Sequence, residues 1–232
     1  MPRTLRLDEI RLRCQRRADK ESDPSIGTAE WNALISEQYG DLSSEVEKTG
    51  MRYFESKLAI VATGAASYAA PSDHLSTLGV YRVDASGGLV ELEEIMVQER
   101  TRWAGRTGDA SCYDLVGATL TLYPRPSSGS YEMVYMPQAP DLSLAPDSTL
   151  IDVVTADGEA FLIWGVAVKA KAKSEAGVGL EIKEREEARA RLVSWATNRA
   201  FTQPRRPIVR QSLNSLMDVG DTADDPGGWW DR

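Results

Sequence analysis

The hydrophobic period of this chain changes twice along its length. Apolar residues recur at helical spacing over residues 1–52 and 149–203, and in strand-like runs bounded by Gly, Pro, Ser and Asp over 53–148. A chain patterned in this way is expected to fold as α+β. N-terminal helices (1–52) and C-terminal helices (149–203) complete one helical bundle, a small, mostly antiparallel β-sheet module (53–148) is inserted between them, and an extended tail follows over 204–232.

The local signals are specific. Leu5, Leu7, Ile10, Leu12 and Cys14 alternate with Arg6, Arg11, Arg13, Arg16 and Arg17, which predicts an amphipathic first helix with seven basic and three acidic side chains in residues 1–20. That basic face is either solvated beside a protein wall or meets an acidic partner or neighbouring subunit. Thr28 is placed to cap a second helix, with Trp31, Leu34, Ile35, Leu42 and Val46 as its buried stripe and Gly50 as its left-handed stop. Strands are expected at 54–62, 78–83, 89–95, 115–123 and 131–136, with a short helix over 95–103. In the strand at 115–123, Leu120 and Leu122 share one face and Thr119 and Thr121 the other. Phe161, Leu162, Trp164, Val166 and Val168 open a helix that then acquires Lys169, Lys171 and Lys173. A break at Gly177, Val178 and Gly179 turns the chain into a last helix over 180–201, antiparallel to the one before.

The chemistry on offer is sparse. Lys and Arg number 27 against 35 Asp and Glu, a net charge of −8, which argues against a surface that coats nucleic acid. Cys14 and Cys112 form no CxxC pair and read as buried thiols. There is no signal peptide pattern and no apolar stretch of membrane-spanning length, so a reducing, aqueous compartment and no membrane contact are expected. His74 is the one histidine, which excludes HExxH sites, and neither GxSxG nor GxxxxGK[ST] occurs. Glu91 and Glu93 alternate onto one exposed strand face with Glu94 beside them, and residues 184–187 are the wet side of a helix. Tyr68, Tyr81, Tyr113, Tyr123, Tyr131 and Tyr135 lack interleaved basic residues and read as core or sheet-face residues. No catalytic residue, cofactor or metal ligand is therefore assigned. The tail over 204–232 is too polar to form a core, yet it carries Leu213, Leu216 and Met217 as a short amphipathic patch and ends in Trp229 and Trp230, which call for a partner.

Several phrases in order carry a resemblance: the basic first helix, TAEWNALISEQYGDL, Tyr53 with Phe54, SYAAPSDHLSTLGV, and LTLYPRPSSGSYEMVYMP. Together they resemble tailed-bacteriophage head-to-tail adaptor proteins, also called head-completion or connector proteins, over about residues 4–207. The matching positions are Glu30 and Trp31, then Tyr68, Pro71 and Asp73, then the strand pair at 120–123 and 131–135, then Asn198 and Arg199 followed by Pro204. The Trp-bearing C-terminal extension and the loop at 106–111 depart from the pattern. The resemblance implies a structural virion protein of the neck, made in the bacterial cytoplasm. It implies a homo-oligomeric, dodecameric ring beneath the portal protein, with a tail component (stopper, nozzle or tail tube protein) below and DNA passing through without sequence-specific binding. It also implies that the C-terminal segment clamps the portal. Ile208, Leu213, Leu216 and Met217 are then the expected apolar anchors, Trp229 and Trp230 fill a pocket on the portal or a neighbouring subunit, and Glu181, Glu184 and Glu187 are candidates to face the channel. A tail or baseplate structural protein that does not touch the portal is the alternative. A DNA-binding regulator using the basic helix and a virion hydrolase using paired carboxylates are the rivals from other classes.

Overall fold

The computed structural model describes residues 3–21, 25–173, 177–202 and 209–210. In chain order the elements are β1 (Thr4–Arg6), α1 (Leu7–Arg17), α2 (Thr28–Lys48), β2 (Ser56–Val61), β3 (Tyr68–Ala69), β4 (His74–Val83), β5 (Leu89–Glu91) and β6 (Glu93–Glu94). A 3-10 turn (Val97–Glu99), α3 (Arg100–Trp103), β7 (Cys112–Val116), β8 (Thr119–Tyr123), β9 (Ser130–Pro137), β10 (Leu150–Asp152), α4 (Ala156–Lys173), α5 (Gly179–Thr202) and β11 (Val209–Arg210) follow. The class is mixed α+β. The chain divides into one compact unit of Met1–Ser56, Pro71–Leu78 and Val134–Arg205, and a second of Lys57–Ala70, Gly79–Met133 and Arg206–Arg232.

In the first unit, α4 packs on α1, α2 and α5. Its residues Phe161, Leu162, Ile163, Val166, Ala167 and Ala170 are buried on nearly every side, as expected of a helix that is apolar all round. Around it, α1 contributes Leu7, Ile10 and Cys14, α2 contributes Trp31, Ile35, Leu42 and Val46, and α5 contributes Ala188, Leu192 and Ala196, all in one hydrophobic cluster. Leu34, expected in the α2 stripe, is only half-buried. Lys171 near the end of α4 pairs with Glu181 near the start of α5, and Asp157 at the start of α4 pairs with Arg191 further along α5, so the two helices run antiparallel. Helix α2 begins at Thr28 with Gly27 as its cap residue and no side-chain capping bond, so Thr28 is the first helical residue and not the cap. Gly50 has φ 76° and its amide donates to the Glu47 carbonyl at 2.8 Å, which ends the helix as expected.

The first helix starts later than its periodicity suggests. Residues 4–6 form β1, antiparallel to β10 with Leu5 opposite Ile151. Leu5 is half-buried between exposed Thr4 and Arg6, an alternation that a three-residue strand and a helix start share. The backbone partner 146 residues downstream decides between them.

The strands form a two-stranded sheet of β1 and β10, a five-stranded sheet of order β11-β5-β4-β9-β2 and a four-stranded sheet of order β3-β8-β7-β6. Two further details differ from the expected single sheet. The run at 89–95 divides, with β5 antiparallel to β4 in one sheet and β6 parallel to β7 in the other. Glu91 and Glu93 consequently do not share one strand face. The stretch at 115–123 belongs to a hairpin whose two-residue turn is Gly117 and Ala118, with Leu115 opposite Leu120. Gly117, at φ 58°, takes the left-handed position that such a turn reserves for glycine. Leu120 and Leu122 are buried, with Thr119 and Thr121 more exposed, as the alternation requires. Tyr81, Tyr113 and Tyr131 are buried in the second unit, and the Tyr131 hydroxyl accepts a bond from the Ala110 amide at 3.1 Å.

Candidate partner interface

The basic first helix is turned toward its own chain. Arg11 donates to Asp147 at 2.8 Å and to Asn32 at 3.1 Å, while Arg13 pairs with both Glu9 and Glu159. Arg3 reaches the same Glu159 at 2.6 Å, Arg16 pairs with Glu21 at 3.2 Å, and the Arg17 guanidinium lies 4.7 Å from the centre of the Trp164 ring. Glu159 is buried, and two arginines compensate the cost of its desolvation. A helix whose cations are matched in this way supports the reading of a face beside a protein wall. It also ties Arg11 and Arg13, two of the cations on which a DNA-binding regulator would draw, to carboxylates of their own chain.

The acidic face proposed on α5 divides. Glu181 is only 6% exposed, and its carboxylate accepts a 2.7 Å bond from Lys171, which also lies 3.3 Å from Asp19. It does not share the exposure of Glu187, and Glu184 is half-buried. The reason is position: residue 181 lies seven residues, two turns, before the buried Ala188 and so faces the helical core. Glu187 stands 3.9 Å from Lys183 and 4.0 Å from Arg191. Leu180 and Ile182 are exposed beside these carboxylates, so the start of α5 presents a mixed apolar and acidic surface.

The Lys171 hydrogen bond holds the Glu181 carboxyl below its usual value of 4.5. Burial alone raises Glu45, but the bonds and charges of Arg189 and Lys48 outweigh it and hold that carboxyl low as well. A carboxyl depressed in the folded state contributes stability that is present above the unfolded value and is lost as pH falls through the folded one. Acid destabilisation is therefore expected to set in below about pH 4.5. Glu181→Gln should cost about 1–2 kcal/mol at pH 7 and flatten the acid limb, read as urea midpoints at a series of pH values. An unchanged pH dependence in that variant would refute the assignment.

The remaining predicted site residues, Ile208, Leu213, Leu216, Met217, Trp229 and Trp230, lie outside the described residues. The nearby pair Val209 and Arg210 is described as β11, lying parallel to β5. Sequence reading missed several exposed apolar side chains, Val61, Leu75, Val116 and Leu150 among them. Leu144 is exposed in the first unit, and Met96 and Val97 are 73% and 63% exposed in the second. The IMV run at 95–97 carries the signal for the latter, but it resembles the end of a strand. Only Ile95 turns inward, and the 3-10 turn points the next two side chains out.

His74 opens β4 with its Nε2 2.9 Å from the Thr77 hydroxyl. Cys14 and Cys112 are both buried, and burial pushes the Cys112 thiol up to about 11. Among the described residues no three His, Cys, Asp or Glu side chains converge as a metal site would. No described helix is long and apolar enough to cross a membrane. The family model described as SU10 adaptor protein matches residues 6–211. No curated protein matches the chain.

Proposed function

This chain belongs to the SU10 adaptor protein family, a family of phage head-to-tail adaptors, and we propose from that membership that its copies form a ring, a dodecamer, beneath the portal. The ring connects the DNA-filled capsid to a tail component (stopper, nozzle or tail tube protein) and lines the channel through which DNA leaves. The observation that carries this reading is the extent of the match, which runs through both compact units and not through one module alone. The protein is then a structural component of the virion neck and not an enzyme.

Charge and surface are consistent with it. At −8 per copy, a ring repels phosphate and lets DNA slide without salt-dependent capture. Glu184 and Glu187 are the channel-facing candidates on α5. Glu181 is not, because Lys171 already holds it. The exposed Leu180 and Ile182 suit a contact between neighbouring subunits, in which one patch meets a different patch around a closed ring. Ile208, Leu213, Leu216, Met217, Trp229 and Trp230 are the anchors toward the portal or a neighbouring subunit.

Native mass spectrometry of the full-length chain mixed with purified portal rings tests this directly. A defined mass increment of one adaptor per portal subunit, lost when the chain is truncated after Gln203, is the expected result. No increment with either chain would reject the portal contact and favour a tail or baseplate component.

A further inference from the structure

The second unit carries an exposed apolar edge with positive charge beside it. Met96 and Val97 stand outward from the 3-10 turn, and Trp103, at the end of α3, is half-buried. Arg102 and Arg106 are exposed on the same short stretch, the Arg106 guanidinium lying 5.6 Å from the centre of the Trp103 ring. The third arginine, Arg100, is already paired with the buried Asp114.

Strand β11 lies beside β5, the strand that leads toward that edge. Val209 lies opposite Val90 and Arg210 opposite Glu91, in parallel. From Glu91 the chain passes through Leu92 and β6 to Ile95, whose amide donates to the Tyr113 carbonyl at 2.9 Å, and then reaches Met96. Five residues of extended chain span roughly 17 Å, so the sequence beyond Arg210 is long enough to reach Met96 and Val97. The sequence from 211 onward holds Leu213, Leu216 and Met217, and then Asp218, Asp221, Asp224, Asp225 and Asp231 against one arginine, Arg232. Its apolar residues complement the apolar edge, and its carboxylates complement the two arginines.

We propose that the face formed by Met96, Val97 and Trp103 binds the C-terminal segment 211–232 of the same chain. Leu216 and Met217 lie on Met96 and Val97, and Asp221, Asp224 and Asp225 lie at Arg102 and Arg106. The β11 pairing holds the segment at the sheet edge, which raises its effective concentration at the face and lets modest contacts suffice. The edge and the segment then shield each other's apolar side chains until a partner competes for the segment. This inference does not depend on the adaptor reading, since it concerns a contact within one chain.

The test uses the full-length chain with a photo-crosslinking benzoylphenylalanine at position 96, an exposed site. After irradiation, peptide mapping is expected to find position 96 joined to residues 211–232 in species of monomer mass. Arg102→Glu with Arg106→Glu should lower that yield about fivefold, the loss of two exposed charge pairs. Leu216→Asp with Met217→Asp should lower it similarly, and those two changes lie in the segment and leave the edge intact. A 1:1 mixture of isotope-labelled and unlabelled chains separates the sources. Products that join two copies would overturn the contact within one chain. Products elsewhere in the sequence, no product with the segment, or yields that ignore both pairs of substitutions would overturn it equally.

Discussion

Replacing Trp31 by alanine is expected to cost about 3–5 kcal/mol, whereas Glu30→Ala next to it should change stability by no more than about 1 kcal/mol. These two residues form one of the phrases by which the chain resembles phage adaptors, yet they serve different ends. Trp31 is 1% exposed at the start of α2 and belongs to the hydrophobic cluster of the first unit. Glu30 reaches Lys173 from an exposed position, where water screens the pair. The Trp31 indole N–H has no hydrogen-bond partner among the described residues, so the ring contributes by burial and packing alone. Trp31→Phe should accordingly retain more than half of the stability that alanine loses. Urea denaturation of the three variants measures this directly. A Trp31→Ala loss below about 1 kcal/mol would show that the site can collapse around the missing ring.

Gly158→Ala should destabilise by about 3 kcal/mol, although alanine is the better helix former by roughly 1 kcal/mol. A Cβ at residue 158 would stand 2.2 Å from the Val153 carbonyl oxygen, and that oxygen cannot retreat. It accepts the Thr155 amide at 2.6 Å, the Val153 amide is tied to the Arg3 carbonyl at 2.9 Å, and Val154 between them already sits at φ 66°. A β-branched residue in the left-handed region is itself costly, and the buried Val154 side chain and the Asp152 carboxylate, which accepts the Val154 amide at 2.8 Å, hold it there. Two other helical glycines calibrate the effect. At Gly165 the collision is with the Gln38 side chain, which can give way more readily than backbone, so Gly165→Ala should cost about 1–2 kcal/mol. At Gly40 nothing lies within 4 Å, and alanine should stabilise by up to about 1 kcal/mol. Thermal melts should place the three variants in that order, and a Gly158→Ala chain as stable as wild type would contradict the close approach.

Much of the helical unit was legible because its signals are local. Trp31, Ile35, Leu42 and Val46 announce their buried face by spacing, Gly50 announces the stop by its tolerance of positive φ, and the buried thiol of Cys14 follows from the absence of any pairing motif. The candidate interface was less legible. Acidic residues three apart on α5 look alike in sequence, and only the neighbouring helix tells Glu181, bonded to Lys171, from Glu187 in water. The arginines of α1 likewise advertise a binding face, while their partners Glu159 and Asp147 come from far along the chain.

Hydrophobic period and turn residues were enough to determine an α+β chain in which helical segments flank a run of strands. Tertiary structure decided which strand pairs with which: that residues 4–6 join β10, that the run at 89–95 divides between two sheets, and that the stretch at 115–123 is part of a hairpin. The difference is physical. A side-chain period reports which face of a segment is buried and is written within ten residues, whereas a ladder partner or a buried ion pair is chosen by long-range packing. Several strand registers satisfy the same alternation, and the competition among them ends only when the core closes.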